Sequence, residues 1–327
     1  MSYREEGQVL QRIVVTRRIP ETALEVLRGA GEVWVSPHDR PLTIDELHQA
    51  VSGAAAAVTF LHDRIDDAFL DAARSELRIV ANVAVGYDNV DVDACTRRGV
   101  VFTNTPGVLT EATADIALAL ILIATRRLGE GERLVRSGRP WSWNMFFHLG
   151  TGVQGKTLGI VGLGQIGRAT ARRGRALGME IAYTGSRRAD ESVEAELDAA
   201  FLPFDELLAA ADVVSLHCPL KPETRHLIDA AALHRMKPSA FLINTTRGPV
   251  VDEAALVEAL RDGTIAGAGL DVFEQEPRVH PGLLELENVA LLPHLGSATI
   301  ETRAAMAVLA ARNVAAVLSG DDPLTPV

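Results

Sequence analysis

The stretch TLGIVGLGQIGRATARRGRALG, residues 157–178, constrains this chain more than any other. Gly162, Gly164 and Gly167, with Gln165 and Ile166 inside the turn, form a GxGxxG spacing. An apolar strand pattern precedes it and an amphipathic helix pattern follows. The first glycine permits a tight turn, the second lets the backbone approach a pyrophosphate, and the third lets helix pack on strand. The N–H groups at the helix start then face an anion. A lone GxGxxG also fits a purely structural turn. The strand before it and the helix after it make dinucleotide binding the better reading.

The next strand pattern, MEIAYTG (179–185), bears on which dinucleotide. NAD-binding units usually end this strand in Asp or Glu, which binds the ribose 2′-hydroxyl. Here Gly185 is followed by Ser186, Arg187 and Arg188. A hydroxyl and two guanidiniums suit a 2′-phosphate. The expectation is NADP (as NADPH) preferred, with NAD still usable. Solvated loop arginines are the plainer alternative, and Asp190 and Glu191 remain near enough to serve a ribose.

The rest of the chain alternates short strand and helix patterns, first over about one hundred residues and again from Thr157. That rhythm predicts an α/β protein with parallel sheets. At 327 residues, two domains are expected. Residues 104–128 read as one long helix pattern between the two series. Residues 299–320 close the chain as a long amphipathic helix pattern ending at a glycine. The apolar run Ile116–Thr125 is too short to span a bilayer and predicts a buried helix, hence no membrane partner. The net charge of −11 argues against nucleic acid, which needs a basic stripe. Cys95 and Cys218 stand outside any CxxC or Cys/His cluster. Neither a disulfide framework nor a metal site is expected, and a reducing cytoplasm suits the chain. The start, MSYREEGQVLQR, lacks the apolar core of a signal peptide.

Three late strand patterns end in residues able to do chemistry: INTTRG at Arg247, GLDVFEQEP at Asp271 with Glu276 beyond, and LLPHLGSAT at His294. Doubly wound sheets bind ligands at the carboxyl ends of their strands. Reduction of a carbonyl needs a proton donor working near neutral pH, which histidine supplies. It gains from a carboxylate that stabilises the imidazolium. It also gains from a fixed cation that orients a substrate carboxylate and polarises the carbonyl. Taken singly, Arg247 reads as a surface ion-pair partner, Glu276 as a loop charge before Pro277, and His294 as a residue at a helix start.

Taken together, six motifs resemble the D-isomer-specific 2-hydroxyacid dehydrogenases over nearly the full length. They are NVAVGYDNVD (82–91), NTPGVLTEATAD (104–115), GKTLGIVGLGQIG (155–167), LINTTRGPVVDEAAL (242–256), AGLDVFEQEP (268–277) and LLPHLGSAT (291–299). The YTGSRR turn, the WSW triplet and the final GDDPLTPV are similar to the glyoxylate/hydroxypyruvate reductase branch.

The resemblance implies two Rossmann- or flavodoxin-like parallel-sheet domains joined by long helices. A discontinuous substrate domain, 1–103 plus 295–327, would surround a nucleotide-binding domain at 104–294. It implies His294 as acid/base, Glu276 as its partner and Arg247 as the substrate clamp. Leu61, the backbone N–H groups of Val85 and Gly86, Ser297 and Trp143 would face substrate, Trp143 reaching the partner subunit's site from a dimerisation loop in which Trp141 is the alternate; packing at the interface alone is the other reading of that loop. His62 departs from the small residue more usual beside Leu61. Thr110, Cys218, Pro219, Thr245, Thr246, Asp271 and Gly296, with Arg247 and His294, would line the cofactor. The expected activity is reduction of a small 2-oxoacid such as glyoxylate or hydroxypyruvate by a homodimer. Glu276 argues against a formate dehydrogenase of this fold, which places glutamine beside the histidine. Phosphoglycerate dehydrogenases usually show the acidic NAD signal and many carry a further regulatory domain. Another D-2-hydroxyacid dehydrogenase, a phosphite dehydrogenase and a dinucleotide-sensing corepressor all keep the Arg–Glu–His set, so they stay open.

Overall fold

The computed structural model describes residues 11–327, so the charged start read above lies largely outside the described residues. The chain divides into two compact units. One runs to Leu109 and resumes over Thr299–Val327; the other is Thr110–Ala298.

The first unit holds strands β1 (Arg12–Val15), β2 (Glu32–Val35), β3 (Ala56–Thr59), β4 (Ile79–Asn82) and β5 (Val101–Thr103). Between them lie helices α1 (Glu21–Ala30), α2 (Ile44–Val51), α3 (Asp67–Ala73) and α4 (Val92–Arg97). The strands form one parallel sheet in the order β2-β1-β3-β4-β5. β3 and β4 are buried throughout, as a parallel sheet covered on both faces requires. Asn104 and Thr105 stay with this unit: the Asn104 side chain donates to Val85 O (2.8 Å) and the Thr105 N–H to Ala84 O (2.8 Å).

The second unit opens with helices α5 (Thr110–Arg126) and α6 (Leu128–Arg136). The single helix expected over 104–128 is thus shorter and broken. Arg127 adopts a left-handed φ of 55°, and its guanidinium forks onto Glu130 (2.9 Å at Nε, 2.6 Å at Nη2). Seven strands follow: β6 (Thr157–Val161), β7 (Glu180–Thr184), β8 (Ala199–Phe201), β9 (Val213–Leu216), β10 (Phe241–Asn244), β11 (Gly267–Leu270) and β12 (Val289–Leu291). Helices α7 (Gln165–Ala176), α8 (Glu191–Leu197), α9 (Phe204–Ala210), α10 (Ala230–Arg235), α11 (Glu253–Arg261) and α12 (Pro281–Leu284) connect them. The sheet is again all parallel, ordered β12-β11-β10-β9-β6-β7-β8.

The apolar run Ile116–Thr125 lies in α5, which buries Ala117, Leu120 and Ile121 and packs on β10 and β11. Gly269 makes that approach possible, since a Cβ there would sit 3.0 Å from Leu120 Cβ. No helix among the described residues is long and apolar enough to cross a membrane.

The last helix, α13 (Ile300–Ser319), belongs to the first unit. Thr299 caps its start by accepting the Thr302 N–H (3.0 Å), and Gly320 ends it with φ 92°. It packs on α1 and β4. Its buried Asn313 accepts the Leu324 and Thr325 N–H groups (2.8 and 3.0 Å), pinning the C-terminal tail.

Candidate active site

The second unit gathers its chemistry at the carboxyl ends of β6, β7, β9, β10, β11 and β12. At the end of β6 each glycine of the turn has a physical requirement of its own. Gly162 takes φ 99°, and a Cβ on it would meet the backbone of His217 and Cys218 at 2.9 Å. A Cβ on Gly167 would lie 2.3 Å from Gly162 O, so helix α7 can approach the strand only with glycine there. Gly164 differs: nothing lies within 4 Å of the Cβ it lacks, and it is the N-cap of α7. The open side of Gly164, the positive end of a 12-residue helix and the forced turn fit a pyrophosphate. The other glycines are required by packing; this one leaves free space where a phosphate would approach. Gln165 opens the helix, and its Oε1 lies 3.4 Å from Thr110 Oγ1 at the start of α5. Ile166 follows it in the first turn.

Beyond β7, Ser186, Arg187 and Arg188 are all exposed. They differ in their engagements. Arg188 forks onto Glu194, Nε to Oε1 and Nη2 to Oε2, both at 2.8 Å. At the end of β9, burial pushes the Cys218 thiol up to about 11, so it stays protonated at neutral pH; Pro219 beside it is exposed.

At the end of β10 the loop bearing Arg247 is stapled by a buried asparagine. Asn244 Oδ1 accepts the Thr246 N–H (3.0 Å) and hydroxyl (2.9 Å), and its Nδ2 donates to Arg247 O (2.9 Å). The guanidinium of Arg247 donates through Nη1 to Thr246 O (2.9 Å). The hydroxyl of Thr245 is buried and makes no hydrogen bond among the described residues, which fits a polar group of a bound cofactor. Gly248 follows directly, and a Cβ there would lie 1.9 Å from Phe273 C and 2.0 Å from Phe273 O. The Arg247 loop therefore lies backbone against backbone on the loop leading to Glu276.

That second loop is held at two points. Glu276 Oε1 accepts the Phe273 N–H (3.0 Å), and the buried Glu253, first residue of α11, accepts the Glu274 N–H (2.7 Å). Burial pushes the Glu253 carboxyl above its ordinary value.

At the end of β12, His294 takes a left-handed φ of 54°. Three successive N–H groups converge on Asp271. His294 N–H donates to its carbonyl (2.9 Å), Leu295 N–H to Oδ1 (2.6 Å) and Gly296 N–H to Oδ2 (2.8 Å). Thr113 of α5 closes the turn by donating to Gly296 O (3.0 Å). Both oxygens of Asp271 thus already hold backbone N–H groups; burial nevertheless pushes its carboxyl up, against those two bonds.

So placed, His294 Nδ1 lies 2.8 Å from Glu276 Oε2, with the two side chains 30% and 22% exposed. Burial alone would raise the Glu276 carboxyl. The hydrogen bond and charge of His294, the Phe273 N–H and the charge of Arg247 outweigh it and hold the carboxyl below its ordinary value. An ionised carboxylate therefore faces Nδ1 at neutral pH, and Nε2 is left to meet a substrate. Ser297, further along the turn, is half-buried.

The remaining expected residues lie elsewhere. Leu61, Val85 and Gly86 belong to the first unit, half-buried beyond β3 and β4. Trp143 is 79% exposed in the loop after α6, with Met145 and Phe146 exposed beside it. Trp141 instead stacks on Phe147 at 5.8 Å. The sequence reading missed Asn244, Gly248, Glu253 and Thr113. All four stand inside the six motifs as polar or small residues; Asn244 bonds Thr246 and Arg247 close by, whereas the partners of Gly248, Glu253 and Thr113 are distant in sequence.

Comparison with known proteins bears on this geometry. Residues 118–296 match the family described as "D-isomer specific 2-hydroxyacid dehydrogenase, NAD binding domain". A glyoxylate reductase of Thermococcus onnurineus is 49% identical over 320 residues, 97% of this chain and 95% of that protein. Among solved structures, the TT0316 protein of Thermus thermophilus superposes with a TM-score of 0.90 at 44% identity, covering 97% and 100% of the two chains. An NADPH-dependent glyoxylate/hydroxypyruvate reductase of Sinorhizobium meliloti, solved with NADP and malonate, gives a TM-score of 0.82 at 38% identity, covering 97% and 96%.

Proposed function

The chain belongs to the D-isomer-specific 2-hydroxyacid dehydrogenases, NAD(P)-dependent oxidoreductases of 2-hydroxyacids, and from that premise we propose that it reduces glyoxylate and hydroxypyruvate with a preference for NADPH. The observation that carries the proposal is the 2.8 Å bond between His294 Nδ1 and Glu276 Oε2, set beside Arg247 by the contact at Gly248.

The bound nicotinamide would supply one thing, a hydride for the keto carbon. Every other requirement falls to the chain. Arg247 holds the substrate carboxylate and draws electron density towards the carbonyl oxygen. As the C–H bond forms, the carbonyl π pair moves onto oxygen. His294 gives its Nε2 proton to that oxygen, and Glu276 stabilises the imidazolium beforehand through Nδ1–H. The product is a D-2-hydroxyacid, or achiral glycolate from glyoxylate. Gly162, Gly164, Gly167 and the start of α7 would hold the pyrophosphate, with Thr245 and Thr246 near the nicotinamide ribose.

Ser186 and Arg187, at a strand end without a carboxylate, support the NADPH preference, as does the NADPH-dependent Sinorhizobium relative. The exposed Trp143, Met145 and Phe146 support a homodimer, since a second copy would cover an apolar cluster that is costly to leave in water.

Steady-state kinetics on glyoxylate, hydroxypyruvate, pyruvate and phosphite, each with NADPH and NADH, test the reading. The highest kcat/KM is expected for glyoxylate or hydroxypyruvate with NADPH. A maximum with phosphite, or binding of NADPH without turnover of any 2-oxoacid, would overturn it. His294→Ala should lose about 10²–10⁴-fold in kcat, the usual worth of acid–base catalysis. Retention of more than about a tenth of wild-type kcat would remove His294 from the role.

A further inference from the structure

The sequence offers two arginines to a 2′-phosphate; the structure has already committed one of them. Arg188 meets Glu194 with both prongs of its guanidinium at 2.8 Å, the fork geometry that fixes orientation as well as distance. Glu194 is no loose surface acid. Its side chain is 12% exposed, whereas that of Arg188 is 67% exposed. The fully buried Tyr183 on β7 donates its hydroxyl to Glu194 and accepts the Ala189 N–H at 2.8 Å. Tyr183 is itself wedged edge-on against Phe201 of β8 at 5.3 Å. The carboxylate, on α8, is therefore an anchor tied to the sheet through Tyr183, and the arginine is the exposed partner held by it. Arg188 first, and then Tyr183, hold the Glu194 carboxyl down at about 2, so the anchor stays charged at any physiological pH.

Arg187 is exposed and makes no hydrogen bond or ion pair among the described residues. The turn thus presents one uncommitted cation where the sequence shows two. Asp190 and Glu191, both exposed, add negative charge at the start of α8.

We propose that Glu194 is a specificity-determining residue: by holding Arg188 it limits the discrimination between NADPH and NADH, leaving Ser186 and Arg187 to meet a 2′-phosphate. The inference rests on reading this turn as the site of the adenosine ribose. With the fork intact only the Nη1 side of Arg188 is left for a phosphate, and the Glu194 charge opposes that of the guanidinium; a two-pronged grip would require breaking the fork, so the second arginine contributes less than its charge suggests.

The test compares the ratio of kcat/KM for NADPH to that for NADH in five proteins: wild type, Glu194→Gln, Arg188→Ala, the double variant of these two, and Arg187→Ala. Glu194→Gln keeps an acceptor for Tyr183 while removing the charge. It should raise the ratio about five-fold or more, the worth of one freed charge-assisted contact to phosphate. In the Arg188→Ala background the same change should move the ratio less than about two-fold, because only screened long-range charge remains. Arg188→Ala alone should lower the ratio far less than Arg187→Ala, which should lower it by roughly ten-fold. An unchanged ratio in Glu194→Gln would overturn the inference. So would an equal rise with and without Arg188, or an Arg188→Ala loss as large as that of Arg187→Ala. If Glu194→Gln melts early, the two arginine variants decide the question alone. A wild type that favours NADH would defeat the NADPH reading, while the change caused by Glu194→Gln still judges this one.

Discussion

Replacement of Gly248 by alanine probes the contact on which the site depends. The added Cβ would lie 1.9 Å from Phe273 C, 2.0 Å from Phe273 O and 2.3 Å from Glu274 N. Ordinary contact begins near 3.4 Å, so the two loops must part by about 1.5 Å. All three obstacles are backbone, and no side chain can swing away. A shift of that size breaks bonds now at 2.7–3.0 Å, namely Glu274 N–H to Glu253, Phe273 N–H to Glu276 and Asn244 Nδ2 to Arg247 O. Overpacking costs about 1–3 kcal/mol, and each of the three lost hydrogen bonds about 0.5–1.5 kcal/mol, so roughly 5 kcal/mol is expected. For a cooperative unit of this size that lowers Tm by about 10–20 °C. Because the loops carry Arg247 and Glu276, a displacement near 1 Å should also cost about 10²-fold in kcat/KM. Thermal melting followed by circular dichroism, with steady-state kinetics at a temperature where the variant is folded, reads both. Gly263→Ala is the control: its φ of 73° is strained for alanine but nothing lies within 4 Å, so only roughly 1 kcal/mol is expected and activity should persist. A Gly248→Ala protein melting within about 2 °C of wild type, a shift worth under roughly 1 kcal/mol, and keeping its kcat/KM would refute the reasoning.

Three further outcomes follow from the same geometry. Gly164→Ala meets nothing in the protein, so the free enzyme should melt within about 2 °C of wild type, while cofactor affinity by titration calorimetry falls roughly ten-fold or more; unaltered affinity would mean no phosphate sits there. Glu276 binds its proton less readily in the folded chain than its ordinary value of 4.5 implies. Its stabilisation is thus present above that pH and lost as pH falls through the lower folded value; the Tm gap between wild type and Glu276→Gln should narrow on acidification below pH 4.5, and a widening gap would reverse the sign. Asp271→Asn keeps one acceptor for two N–H groups and aims an NH₂ at the other, costing about 1–3 kcal/mol in stability; kcat should fall with it, and an intact Tm would show that the turn does not need the carboxylate.

What the sequence disclosed depended on how far apart the cooperating residues lie. The glycines at 162, 164 and 167 were legible because their demands are local, each set by a strand and a helix that the same twenty residues encode. The alternation of strands and helices likewise gave two parallel sheets. Arg247, Glu276 and His294 come from three strand ends, and nothing in their separate neighbourhoods says that they meet; only the resemblance to a family joined them. The requirement at Gly248 was illegible for the same reason, since its obstacle is residue 273. Arg188 shows a subtler limit. Its partner is only six residues on, but the turn between them follows no helix spacing, so the sequence showed two available cations. The break at Arg127 was hidden because the apolar pattern runs on through residues that favour helix.

His294 itself shows how the site is kept in order. A non-glycine residue in the left-handed region costs roughly 1–3 kcal/mol and persists only where its surroundings over-determine it. Here the surroundings are the ends of three neighbouring strands, in the order β12-β11-β10. Pairing continues past them: Asp271 N–H donates to Asn244 O (2.9 Å) and His294 N–H to Asp271 O (2.9 Å). Asp271 then takes the next two N–H groups on its carboxylate, at 2.6 and 2.8 Å. Three bonds to the strained turn, at about 0.5–1.5 kcal/mol each and more where one partner is charged, suffice to offset the strain. The imidazole is consequently aimed by the sheet and not by a free loop. Asn244 does for Arg247 what Asp271 does for His294: a buried polar side chain at a strand end fixes the backbone that presents the reactive group. Acid–base geometry is thereby tied to β10 and β11, two strands that are buried throughout. The side chains that would tune cofactor choice, Ser186, Arg187 and Arg188, stand exposed beyond β7 on the other side of the sheet's centre. Substitution there can change which dinucleotide binds while leaving the His294–Glu276 pair where it is.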